Sequence, residues 1–172
     1  MKTLKVLVFA FLFASCAPIN VNYDYDKSTD FTSYKTYNYY ADMQIGLSAL
    51  DSKRLVDVLD ANMKTKGYSL SDNPDFLINI QSSEYQEVQN SSVGVGVGGG
   101  GGNVGGGISM TIPVGQANVN RRIVIDFVDK NKKGLFWQAI SDSSFSPNAT
   151  PEVREEKLNA IVTKVLSQYP PK

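Results

Sequence analysis

Cys16 is the only thiol in the chain, and histidine is absent from the whole sequence. These two facts limit the available chemistry. Without histidine there is no Ser-His-Asp or Cys-His nucleophile system, no ordinary zinc site and no side chain that switches charge near neutral pH. With one cysteine there is no disulfide within the chain and no thiolate cluster. Carboxylates, lysines, tyrosines and hydroxyls remain. Asp126 and Asp129 are close enough in sequence to suggest the carboxylate pair of a glycoside hydrolase. Asn20, Asn22, Asp24 and Asp26 offer oxygens to a cation or a sugar, and Trp137 offers a stacking ring.

Each of these has a plainer explanation. Asp126 falls within a strand and Asp129 opens a turn. Alternate oxygens on an extended strand stand about 6.6 Å apart, whereas cation loops gather theirs by tight turns. Trp137 belongs to an apolar strand, where a tryptophan is core. No metal, cofactor or catalytic residue is therefore assigned.

Cys16 carries a definite chemical expectation. Lys2 and Lys5 precede a nine-residue apolar run, Val6 to Ala14, which ends on Ala14-Ser15. A helix of that length spans roughly 14 Å, about half of a bilayer core, so it suits export rather than a permanent span. The sequence Phe13-Ala14-Ser15-Cys16 resembles a lipobox, with Phe13 where a branched aliphatic is commoner. That resemblance implies cleavage between Ser15 and Cys16 and a lipid on the Cys16 sulfur. Residues 1–15 then form a signal peptide and 16–18 a very short tether. Residues 19–172 form one domain.

Removing Lys2 and Lys5 from 17 basic side chains leaves 15 against 17 acidic ones, a net charge of −2. That balance offers nothing to neutralise phosphates, so no nucleic-acid partner is expected. It also leaves membrane attachment to acyl chains rather than to headgroup charge.

The elements that must position these residues can be read from periodicity. Residues 19–26 alternate strictly, with Ile19, Val21, Tyr23 and Tyr25 on one side. A short strand follows over 36–40. Ser48 opens a helix as N-cap, with Asp51 completing a capping box. Leu55, Val58, Leu59 and Met63 form its apolar stripe, Lys53–Asp57 and Asp60–Lys64 its water-facing pairs, and Gly67 its stop. A buried strand begins at Phe76 and runs on through Tyr85 and Val88. Residues 109–118 alternate weakly around Pro113. The strands 122–129 and 135–140 are apolar on both sides, which places them in the middle of a sheet. Thr150 and Pro151 start a last helix as N-cap and N1, with Leu158, Ile161, Val162, Val165, Leu166 and Tyr169 in one stripe.

Between Val93 and Gly107, ten of fifteen residues are glycine. This insert, about 91–107, lacks the lysine and the context of a phosphate-binding loop. It reads as a flexible hairpin tip or loop. Val93, Val95 and Val97 alternate with glycine and are its candidate contact with a partner protein. The expected fold is an α+β two-layer sandwich, a mostly antiparallel sheet with both amphipathic helices on one face.

A wider resemblance follows from motifs in order. They are the lipobox, Tyr23-Asp24-Tyr25-Asp26, Asp30-Phe31-Thr32-Ser33-Tyr34-Lys35-Thr36-Tyr37, Gly67-Tyr68 and Asn73-Pro74-Asp75-Phe76-Leu77-Ile78. After the glycine insert come Ile125-Asp126-Phe127-Val128-Asp129, Leu135-Phe136-Trp137-Gln138-Ala139 and Tyr169-Pro170-Pro171. Together they resemble a family of Gram-negative envelope lipoproteins catalogued as domain of unknown function 4136. The resemblance covers nearly all of the mature chain. It implies an envelope location and a small α/β domain, and it implies no reaction or ligand.

The function expected is a lipid-anchored envelope protein whose domain binds or supports another envelope component without catalysis. The alternatives are a cell-wall or glycan hydrolase using Asp/Glu, and a carrier of a small ligand or lipid. Ala17-Pro18-Ile19-Asn20 after the cysteine lacks an immediate aspartate of the kind linked to inner-membrane retention. That favours the periplasmic face of the outer membrane.

Overall fold

The computed structural model describes residues 18–86, 119–132 and 134–171. Its single six-stranded sheet contains β1 (Asn20–Tyr25), β2 (Thr36–Tyr39), β3 (Ser69–Leu70), β4 (Phe76–Gln86), β5 (Val119–Asp129) and β6 (Leu135–Ser144). Across the sheet the order is β1-β6-β5-β4-β2-β3. Among the described residues two α-helices, α1 (Ala49–Thr65) and α2 (Pro151–Leu166), pack on it. This is the expected α+β sandwich, with β5 and β6 inside the sheet and β1 at its edge.

Local chemistry sets the helix boundaries. The Ser48 hydroxyl accepts the Asp51 N–H, and the Thr150 hydroxyl accepts the Val153 N–H, with Pro151 at the first helical position. At the end of α1, Gly67 takes a φ of 88°. There the Gly67 N–H reaches the Lys64 carbonyl and the Tyr68 N–H reaches that of Met63, which is the Schellman closure.

The pairings are less local. Both pairs involving β2, with β3 and with β4, are parallel, and α1 is the crossover between those strands. β1 lies not beside β2 but antiparallel to β6, with Asn20 opposite Asp142 and Tyr25 opposite Trp137. A parallel pair needs a crossover of a dozen residues or more, and α1 supplies it. β4 outruns its short neighbour β2, and residues 43–46 cover the exposed stretch. The Ile80 N–H meets the Met43 sulfur at 3.2 Å, and the Ser82 N–H donates to the Ile45 carbonyl at 2.7 Å. Gly46 is required there, because a Cβ would stand 2.5 Å from the Ser82 carbonyl oxygen.

The core lies between the helices and one sheet face. Leu55, Leu59 and Met63 of α1, and Leu158, Ile161, Val162 and Val165 of α2, are buried against Ile78, Ile80, Ile123, Ile125 and Phe127. The register shifts between Phe127 and Val128, which face Trp137 and Leu135. The extra residue is Phe136, so Phe136 and Trp137 are both buried although adjacent, as a β-bulge permits. One expected pair is replaced. Asp60 does not face Lys64; its Oδ1 accepts the hydroxyls of Tyr37 (2.9 Å) and Tyr39 (2.6 Å). Burial first, and then Asp60, raise the pKa of both tyrosines far beyond their usual range, so they remain neutral donors.

Candidate functional site

The described residues among those singled out in the sequence do not assemble into one site. Ser15, Cys16, Val93, Val95 and Val97 lie outside the described residues, as does the weak strand over 109–118. Asp126 and Asp129 stand on opposite faces of β5, as alternation requires. Asp126 is on the face away from the helices, where it accepts Gln138 Nε2 at 2.7 Å and Asn79 Nδ2 at 3.4 Å. Asp129 is buried and accepts the Tyr34 hydroxyl at 2.7 Å and the backbone N–H groups of Lys132 (2.6 Å) and Asn131 (2.8 Å). Burial alone would raise its pKa, but these donors, Lys132 foremost, outweigh it and hold the carboxyl below its usual value. A glycosidase acid needs a raised pKa and a partner carboxylate across a shared space. Asp129 is shifted the other way, and the two carboxylates lie on opposite faces of the strand.

Trp137 is buried between Phe127 at 4.6 Å and Tyr169 at 5.0 Å, ring centroid to centroid, which leaves no face for a sugar. Asn20, Asn22 and Asp24 are exposed along the sheet edge, while Asp26 accepts the N–H and hydroxyl of Ser28 in a local turn. Among the described residues no group of three or more His, Cys, Asp or Glu side chains is placed to hold a metal ion.

The densest polar cluster was missed in the sequence. It lies where β4 ends, β5 begins and both helices start. Asp51 is buried, with 1% of its surface exposed. Its carboxylate does not reach back to the Ser48 N–H as a capping box would. It accepts Arg54 Nη1 at 2.9 Å and Arg154 Nη1 at 2.7 Å, and lies 3.9 Å from Arg121 Nη1. Burial opposes its ionisation, but the hydrogen bonds from Arg154 and Arg54 prevail and lower its pKa. Arg121 also pairs with Glu84 at 2.7 Å, and its guanidinium lies 3.4 Å above the Phe145 ring. Arg154 extends to the carbonyls of Ala149 and Pro147. The network joins α1, α2, β4 and β5. Its buried acid, Asp51, is held ionised by arginines, so what the network does is fasten these elements together. Asp51 and Arg54 at i,i+3 is the only local trace of it.

The likenesses to solved structures are to the fold. A PDZ domain protein from Parabacteroides distasonis superposes with a TM-score of 0.59 at 13% identity, over 96% of this chain but only 39% of that one. The chain thus spans about two fifths of that protein. PelC from Paraburkholderia phytofirmans, a dodecamer in its crystals, gives 0.52 at 9% identity over 87% of this chain and 96% of that one. A structure of a domain of unknown function 4136 protein from Bacteroides thetaiotaomicron gives 0.49 at 14% identity, over 85% and 95%. No curated protein matches. The family model for domain of unknown function 4136 matches residues 21–171, and the chain belongs to that family.

Proposed function

We propose that this protein is a lipid-anchored component of the cell envelope, held at the periplasmic face of the outer membrane, and that its domain is a non-catalytic binding or structural module. One observation carries the reading. The only cysteine follows a nine-residue apolar run and Ala14-Ser15, and a well-paired strand begins four residues later. A thiol placed there serves lipid attachment, and two or more acyl chains suffice for stable anchoring. The non-catalytic part is supported by the separation of Asp126 from Asp129 and by the enclosure of Trp137.

Mass spectrometry of the mature chain tests the anchor. The expected N-terminus is Cys16 bearing a diacylglyceryl thioether, and Cys16→Ala should leave the protein uncleaved or free of membranes. An unmodified Cys16 in the mature native protein would end the reading. Crosslinking in intact envelopes then identifies the component it binds.

A further inference from the structure

We infer that one end of the domain, the first turns of α1 and α2 with Leu50 and Val153 at their surface, rests in the headgroup layer of the bilayer. The inference depends on the lipid anchor proposed above.

The direction of the chain fixes which end this is. β1 runs from Asn20, opposite Asp142, to Tyr25, opposite Trp137. α2 runs the same way, since Arg154 near its start bonds Asp51 and Tyr169 after its end packs on Trp137. The two are locked side by side, because the Tyr23 hydroxyl donates to the Lys164 carbonyl at 2.6 Å. From that bond, Val153 lies eleven helical residues back, roughly 16 Å at 1.5 Å each. Asn20 lies three strand residues back, roughly 10 Å at 3.3 Å each. With the two axes taken as parallel, the start of α2 projects about 6 Å past the start of β1. Cys16, four residues before Asn20, reaches at most about 14 Å past it. A tether of that reach lets the lipidated residue stand within about 8 Å of the level of Val153, comparable with the depth of the headgroup region.

The surface at that level suits a neutral interface. Leu50 is 66% exposed and Val153 52%, and each directly precedes a member of the Asp51–Arg154 pair. The arginines nearby already have carboxylate partners, while Glu155 and Glu156 on the first turns of α2 are exposed. Arg54 and Arg154 bind Asp51, and Arg122 grips Asp142 through two bonds of 2.9 and 3.0 Å. Among the described residues these arginines are compensated and Glu155 and Glu156 add exposed negative charge, which disfavours anionic headgroups, so the occupant is zwitterionic lipid, entered by the two apolar side chains.

Because lipid consumes Cys16, one added cysteine is the only free thiol to label. The acylated full-length chain would be made as Leu50→Cys, Val153→Cys and Leu135→Cys, each carrying an environment-sensitive fluorophore. Leu135 is the matched control, since it is 51% exposed but lies at the opposite end of β6. In phosphatidylcholine–phosphatidylethanolamine vesicles with nitroxide headgroups, the probes at 50 and 153 should be quenched at least about twofold more than the probe at 135. Added phosphatidylglycerol should leave that ratio unchanged. Equal or reversed quenching would overturn the orientation. Quenching that rises with anionic lipid would overturn the apolar assignment. Probes shielded in native envelopes but not in vesicles would show a protein occupant and overturn the bilayer assignment, leaving the anchor intact. A mature chain without acyl groups, seen beforehand by mass, would overturn both readings.

Discussion

The inward face of β5 ends in a charge at each end, Arg121 and Asp129, and the molecule closes its two ends by different means. At the Arg121 end an ionic network gathers around Asp51. At the Asp129 end the chain stacks rings. Tyr34 lies flat on Phe136 at 4.3 Å, and Phe76, Phe127, Trp137 and Tyr169 fill the space beside them. The comparison assigns different physics to the two ends. Ring packing supplies stabilisation roughly in proportion to buried area and does not depend on ionisation. A buried ionic network supplies little net stability of its own, yet removing one member leaves the others unpaired. The aromatic end should therefore respond most to loss of volume, and the ionic end to loss of charge.

The largest effect is expected from Trp137→Ala. The side chain is fully buried and its indole N–H has no hydrogen-bond partner, so the loss is almost wholly packing. Urea denaturation should show a destabilisation of about 3–5 kcal/mol. A loss below about 2 kcal/mol would mean that this end collapses to fill the gap, and the contrast would weaken.

Asp51→Ala should follow, at about 2–3 kcal/mol, below the usual range for breaking a buried pair. The discount comes from Arg54 and Arg154, whose side chains are 22% and 25% exposed and regain water in part. The pH dependence separates this loss from a packing defect. The folded-state pKa of Asp51 is depressed, so its contribution is fully present above the ordinary aspartate value of 3.8 and is lost as pH falls through the folded value. Asp129 behaves in the same way at the other end. Wild-type stability should hold from neutral pH to about pH 5 and then fall, and Asp51→Ala should flatten that fall without abolishing it. An acid limb unchanged by Asp51→Ala would mean that the network does not depend on the carboxylate's charge. Trp137→Ala should leave the limb unaltered.

The contrast also explains which parts of the molecule were legible in the sequence. Gly67, Ser48 and Thr150-Pro151 act on backbone groups within four residues, so their roles follow from type and position. Strand alternation gave the buried faces of β4 and β5 for the same reason. The ionic end was hidden because Asp51 finds Arg154 103 residues away. Its local reading as a capping-box acid was reasonable and was overridden by tertiary partners. Asp60 teaches the same lesson. An exposed i,i+4 pair with Lys64 is worth only a few tenths of a kcal/mol, whereas hydrogen bonds from two packed tyrosines to a carboxylate are each worth about 1.5–3. The placement of β1 beside β6, and the parallel pairing of β2 with β4, depend on which edges meet after α1 has crossed. Periodicity along one strand holds no record of that choice.

The smallest expected effects belong to the helix caps, and they test whether the ionic end behaves as one unit. Ser48→Ala should cost about 1 kcal/mol and Thr150→Ala about half of that. The difference follows from geometry, since the Ser48 hydroxyl lies 3.2 Å from its N–H donor and that of Thr150 lies 3.5 Å from its own. The donor to Ser48 is the N–H of Asp51 itself, so this cap also positions the carboxylate that three arginines share. Ser48→Ala should therefore cost less in an Asp51→Ala background than in the wild type, with a coupling of about 0.5 kcal/mol or more in a double-mutant cycle. Strict additivity would show that the cap and the network act separately, and that the ionic end is a set of neighbours rather than a single fastening.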